Sequence, residues 1–72
     1  MLVEPRILII DDEEVVLDSC TEILSNGNYQ IATAINGMLG LELLKKFHPD
    51  IAIVDLKMPG ISGFEVIEKI LE

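Results

Sequence analysis

Three short apolar runs divide the chain, and after each of them the apolar residues spread out to helical intervals. Arg6 to Ile10 (RILII) is apolar after its first residue, β-branched at three of five positions, and stops abruptly at Asp11-Asp12-Glu13-Glu14. That is the pattern of a strand buried on both faces. From Glu14 the spacing changes to Val16, Cys20, Ile23 and Leu24, a one-sided helical stripe halted by Ser25-Asn26-Gly27-Asn28. Gly27 or Asn26 is expected to supply a left-handed helix ending there.

Tyr29 to Ala34 (YQIATA) reads as a second strand, more polar than the first and therefore expected at a sheet edge. Asn36-Gly37 turns the chain. Leu39, Leu43, Leu44 and Phe47 then recur at helical spacing until His48-Pro49-Asp50 ends the helix, and Phe47 takes a core position on that stripe. Ile51 to Val54 (IAIV) is a third strand, apolar throughout and again closed by an aspartate, Asp55. After the loop Leu56 to Ile61, Ser62-Gly63-Phe64-Glu65 has capping-box spacing, and Phe64, Ile67, Ile70 and Leu71 mark a third helix.

Strands alternating with helices in the order βαβαβα imply an α/β fold: a parallel, doubly wound sheet with right-handed crossovers and helices on both faces. Such sheets place ligands at the carboxyl ends of their strands, where the strand order reverses. With the order 2-1-3, the first and third strands are neighbours, and Asp11, Asp12 and Asp55 meet at one rim.

Two carboxylates about 5 Å apart repel by roughly 3 kcal/mol at an effective dielectric near 20, so three ionised together amount to roughly 10 kcal/mol. Protons or a hard cation must offset this, and an all-oxygen, carboxylate-rich mouth suits Mg²⁺ or Mn²⁺. Mg²⁺ held by one or two carboxylates keeps several waters, leaving coordination positions for phosphoryl oxygens. Asp55, as an ionised carboxylate, would then be the nucleophile in phosphoryl transfer and would need no protein base. The plainer alternative makes Asp12 a helix N-cap and Asp11 and Asp55 polar strand ends. Each acidic stretch alone fits that alternative, whereas both at adjacent strand ends favour a site.

Composition narrows the function classes. Thirteen acidic against five basic side chains give a net charge of −8, with no Lys/Arg stripe, which argues against unaided nucleic-acid binding. The single cysteine, Cys20, excludes an internal disulfide and is expected to pack. The start MLVEPR has no long apolar run beside a basic flank, and no stretch approaches the ~18 apolar residues of a membrane span, so a cytoplasmic protein is expected. A 72-residue chain is one domain at most and buries only about 60% of its unfolded surface.

The segments RILIIDDEE, NG before the second helix, and PDIAIVDLKMPGISGFEVI resemble the receiver domain of two-component response regulators over essentially the whole chain. An acidic pair after a first strand is a weak signal. An apolar strand followed by Asp, two residues, Met-Pro-Gly, two residues and Gly is a strong one. The resemblance implies a flavodoxin-like fold and makes Asp55 the phosphoacceptor. It makes Asp12 a direct metal ligand, Asp11 a ligand through water, and Lys57 the donor of a backbone carbonyl to the cation, Mg²⁺ or Mn²⁺. Met58, Pro59, Gly60 and Gly63 match the loop into the third helix, where proline and glycine shape the backbone beside the phosphate. Ser62 stands where relatives often have aspartate, and both cap helices. Gly40 is unusual inside the second helix, where it costs about 1 kcal/mol relative to alanine or permits close packing.

The departure from the family is length: two further βα units, roughly 50 residues on the scale of a βαβ repeat, would complete the domain. Residues 1–72 are thus expected to form an incomplete receiver domain without the family's later hydroxyl and lysine. Lys45, Lys46 and Lys69 lie on helices and do not replace that lysine. The third strand then offers an apolar edge with unpaired N–H and C=O groups, and self-association or domain swapping through it is expected.

The leading function is a phosphoacceptor signalling module, not a standalone enzyme, whose partner is a sensor histidine kinase or phosphotransfer protein. The alternative is a binding or dimerisation module that takes no phosphate. A phosphatase of the haloacid-dehalogenase type would want a second aspartate two positions after the nucleophile, where this chain has Lys57. No Gly-x-Gly-x-x-Gly follows the first strand, which removes a dinucleotide reading.

Overall fold

A computed structural model describes residues 4–71. Met1–Val3, part of the MLVEPR start, and Glu72 lie outside the described residues. The elements run β1 (Arg6–Ile10), α1 (Glu14–Leu24), β2 (Gln30–Ala34), α2 (Gly37–Phe47), β3 (Ile51–Val54) and α3 (Gly63–Ile70). The three strands form one parallel sheet in the order β2-β1-β3, so the expected βαβαβα arrangement and strand order are both present.

β1 is central, and Ile7 to Ile10 are all buried, with Leu8 at 0% exposure. Alternation along the strand sends its side chains to two separate cores. Leu8 and Ile10 join Ala34, Met58 and Val66, with Leu43, Leu44 and Phe47 packed against them from α2. Ile7 and Ile9 meet Leu17 on the other face, with Cys20, Leu24 and Ile31 around them. Cys20 therefore packs, as a free, half-buried thiol. Gly40 is the close-packing glycine: a Cβ there would strike the Ile10 side chain, 2.9 Å from its Cγ1, so α2 rides directly over β1.

The helical stripes differ from expectation in detail. In α1 the buried position is Leu17, with Cys20 and Leu24 beside it, whereas Ile23 is exposed. Residues 17, 20 and 24 share one face, and Ile23 is rotated about 100° from Leu24, beyond the sheet's reach. In α2 Leu39 is exposed while Leu41 packs inward. In α3 the inward face is Gly63 and Val66, and Phe64, Ile67, Ile70 and Leu71 are all exposed. Only one side of that short helix meets the sheet and α2, so its broad apolar circumference is covered in part.

The ends of α1 and α2 also follow local chemistry. No left-handed residue closes α1; Ser25 caps it in the right-handed region, donating its N–H to Thr21 and its hydroxyl to Glu22, and the Gly27 N–H returns to the Leu24 carbonyl. The left-handed ending belongs to α2 instead, at His48 (φ 52°), immediately before Pro49. Asn36 does more than turn the chain: its side chain accepts from the Leu39 N–H at 2.8 Å and caps α2. The capping box expected at Ser62 and Glu65 is present, with the Glu65 N–H donating to Ser62 Oγ at 3.3 Å.

Candidate metal centre at the carboxyl end of the sheet

Register brings the acidic residues together. Ile10 pairs with Ala34 on one side and Val54 on the other, so the next residues, Asp11 and Asp55, leave neighbouring strands at one height. The ladder continues one step past the strands: the Asp11 N–H donates to the Ala34 carbonyl at 3.0 Å and the Asp55 N–H to the Ile10 carbonyl at 2.9 Å. Both backbones are thereby fixed. Asp11, Asp12 and Asp55 each offer an oxygen within 4.8 Å of the others, a closeness that needs β1 and β3 to be neighbouring strands. All three are half-buried. Solvent reaches all three, so water and counterions weaken the mutual repulsion.

The three carboxylates are not equivalent. Asp11 Oδ1 accepts the Glu13 N–H at 2.9 Å, closing a turn before α1. The N-cap position itself is Glu13, whose side chain makes no cap hydrogen bond. Asp12 is therefore not the helix cap, and the plainer alternative for it fails. Asp55 Oδ1 accepts the Lys57 N–H at 3.1 Å, which folds the loop back over the strand end and brings Lys57 to the same rim. The N-terminus of α1 also follows the acidic pair directly, and its partial positive charge favours carboxylates there.

The loop after Asp55 is held from inside. Met58 is buried in the core with Val66. Gly60 adopts φ +78°, a left-handed conformation that costs other residues energy. Its sequence signal was the Met-Pro-Gly triplet, although the triplet does not reveal that methionine anchors the loop. A concavity of ≈ 910 Å³ opens at the opposite end of the strands beside Glu4, Arg6, Tyr29 and His48, and none of the rim aspartates lines it. Arg6 and Asp50 close the sheet at that end: Asp50 Oδ2 accepts the Arg6 N–H at 2.8 Å, and the Asp50 N–H donates to the Arg6 carbonyl at 2.8 Å.

The family model for the response regulator receiver domain matches residues 7–72. The chain belongs to that family. Among its relatives, the transcriptional regulatory protein AfsQ1 of Streptomyces coelicolor is 36% identical over 66 residues, which cover 92% of this chain and 29% of that protein. Sporulation initiation phosphotransferase F of Bacillus subtilis is 31% identical over 68 residues, 94% of this chain and 55% of that one. The structure of Vibrio cholerae chemotaxis protein CheY4 superimposes with a TM-score of 0.90 at 26% identity, covering 94% of this receiver and 57% of that chain. This receiver chain thus spans little more than half the length of two of these proteins and less than a third of the other.

The donor set fits a small hard cation. It consists of oxygens alone, converges from two strand ends, and carries more negative charge than the nearby Lys57 offsets. Receiver domains are signalling modules of two-component systems, and the fold seen here is theirs. No helix among the described residues is long and apolar enough to cross a membrane.

Proposed function

We propose that the chain is a phosphoacceptor module of a two-component relay, taking a phosphoryl group on Asp55 from a sensor histidine kinase or phosphotransfer protein in the cytoplasm. The observation that carries this reading is the convergence of Asp11, Asp12 and Asp55 within 4.8 Å at the carboxyl rim. Asp12, without a capping role, is the direct ligand for Mg²⁺ or Mn²⁺, joined by Asp55 and the Lys57 backbone carbonyl. Asp11, with one oxygen already accepting from Glu13, acts through water. When bound, the cation stabilises charge on the phosphoryl oxygens.

The remaining work belongs to the chain. The free oxygen of Asp55 attacks phosphorus in line; its P–O bond forms as the bond to the donor breaks, and the electron pair of that bond leaves with the donor. The Lys57 N–H, at 3.1 Å, holds the other oxygen and so aims the nucleophile. The module receives a group and does not turn over substrate as a standalone enzyme. Residues 1–72 are read as the first three βα units of such a domain.

Intact-mass analysis after incubation with acetyl phosphate and Mg²⁺ tests the reading. A phosphoryl adduct is expected on the wild-type chain and not on Asp55→Asn. Equal labelling of both proteins would reject Asp55 as the acceptor.

A further inference from the structure

Two of the three helices begin on a buried glycine, and both glycines press on the loop that joins β3 to α3. At Gly63, the first residue of α3, a Cβ would collide with the Asp55 carbonyl oxygen and lie 2.5 Å from the Leu56 Cα and 2.7 Å from the Asp55 carbonyl carbon. At Gly37, the first residue of α2, a Cβ would lie 2.9 Å from the Ile61 Cβ and 3.1 Å from the Ile61 carbonyl oxygen. These neighbours are backbone or Cβ atoms and cannot swing aside. Gly27 and Gly40 differ, because a Cβ there meets only the side chains of Tyr29 and Ile10. The loop is therefore seated between two helix starts, with Met58 holding it to the core.

The two halves of the acidic rim are joined by one hydrogen bond, from the Asp55 N–H to the Ile10 carbonyl at 2.9 Å, and beyond it their supports differ. Asp11 and Asp12 follow β1, where the Asp11 N–H is tied to Ala34 on β2. The peptide after Asp55 rests on Gly63. With the Asp55 N–H held on β1, the placement of the Asp55 carbonyl and of Lys57 relative to Asp11 and Asp12 depends on how closely α3 approaches that peptide.

We propose that Gly63, with Gly37 as a weaker second support, is a positioning residue that sets the span between Asp55–Lys57 and Asp11–Asp12 and so makes the site prefer a small cation to a large one. This rests on the reading of the three aspartates as a cation site. Mg²⁺ requires near-octahedral oxygens at about 2.0–2.1 Å, whereas Ca²⁺ accepts about 2.3–2.6 Å in looser geometry. Ordinary carbon contacts lie at about 3.5–4.0 Å, so a methyl group at Gly63 displaces the Asp55–Leu56 peptide by about 1 Å. Metal sites tolerate displacements of only about 0.2 Å.

The test is an amide NMR titration of the chain with MgCl₂ and CaCl₂, followed at Asp12, Asp55 and Lys57. For Gly63→Ala we expect Mg²⁺ affinity to fall about 10- to 100-fold and Ca²⁺ affinity by less than about threefold. Gly27→Ala, whose Cβ meets only the Tyr29 side chain at the opposite end of the strands, should leave the Mg²⁺/Ca²⁺ ratio unchanged, a readout that general destabilisation does not move. If Gly63→Ala does not fold, Gly37→Ala decides through its smaller overlap, with a ratio lowered at least about threefold. A folded Gly63→Ala or Gly37→Ala chain with the wild-type ratio overturns the proposal, as does an equal change in Gly27→Ala. A wild-type chain that takes up neither cation removes the site itself, a failure distinct from loss of selectivity alone.

Discussion

β1 and β3 carry the same message in sequence and meet different fates in the fold. Both are short apolar runs closed by aspartate, yet Leu8 in β1 is 0% exposed while Ile51 and Ile53 in β3 are 49% and 44% exposed. The reason is position. β1 is hydrogen-bonded on both edges and covered on both faces, whereas β3 pairs only with β1. On the face where Ile7 and Ile9 meet Leu17, α1 reaches the centre of the sheet but not Ile51 and Ile53. Their carboxyl ends are nonetheless equivalent, since register sets Asp11 and Asp55 at one height whatever covers the strands.

The largest expected difference lies in the strand middles. Leu8→Ala should cost about 2–5 kcal/mol, since it opens a cavity in a closed core. Ile53→Ala should cost no more than about 1 kcal/mol, because the side chain already meets solvent. Urea unfolding followed by circular dichroism measures both, and equal losses would show that β3 is as enclosed as β1.

The strand ends should behave alike where the middles do not. In Mg²⁺-free buffer, Asp12→Asn and Asp55→Asn should each stabilise the fold by about 1–2 kcal/mol, since each removes one partner from a repelling, partly screened cluster. Saturating Mg²⁺ at about 100 times its Kd should add about 2.7 kcal/mol to the wild-type chain and much less to either variant. Thermal melts with and without Mg²⁺ supply the comparison. A destabilised Asp12→Asn chain in metal-free buffer would show that Asp12 makes structural contacts that outweigh repulsion.

The exposed edge of β3 offers a further contrast. We expect the chain to self-associate through it, and a charge placed there to oppose pairing. Ile53→Lys should shift the sedimentation profile towards monomer, whereas the same change at the exposed position of the more polar outer strand, Thr33→Lys, should not. A wild-type chain that sediments as a single monomeric species and melts cooperatively would contradict the expectation.

Element types were legible because they follow from short-range patterns, whereas the strand order 2-1-3, and with it the meeting of Asp11, Asp12 and Asp55, was legible through the family resemblance. Apolar runs define strands, helical spacing separates parallel strands, and register then fixes which strand ends meet. Which residues face inward was less legible. Ile23 and Leu71 are as apolar as Leu17 and Val66, and only the helix's rotation against the sheet separates the exposed pair from the buried one. The left-handed residue expected at Asn26 or Gly27 lies at His48; Pro49 bars a continued right-handed helix there but itself favours an extended residue, so no sequence signal marks the left-handed choice. Close approaches such as Gly63 on Asp55 leave no pattern in a single sequence, because a glycine that shapes a turn and a glycine that admits a backbone look alike.

The smallest effect should be local to the covered side of β3. α3 has only eight residues, too few to persist in water without packing and caps, and it presents Val66 to the core while much of its apolar surface is exposed. Removing the Ser62 hydroxyl breaks the capping box and should cost about 1 kcal/mol. That loss should fray α3 before it disturbs the sheet, raising hydrogen exchange about fivefold at α3 amides and at the Asp55 and Lys57 amides of the adjoining loop. The β1 amides, locked between two strands, should keep their protection until the chain unfolds as a whole. Exchange measured by NMR on Ser62→Ala separates the two outcomes: a uniform rise across β1 and α3 would mean that the two sides of the sheet share one cooperative unit, and that the difference in burial between β1 and β3 has no counterpart in local stability.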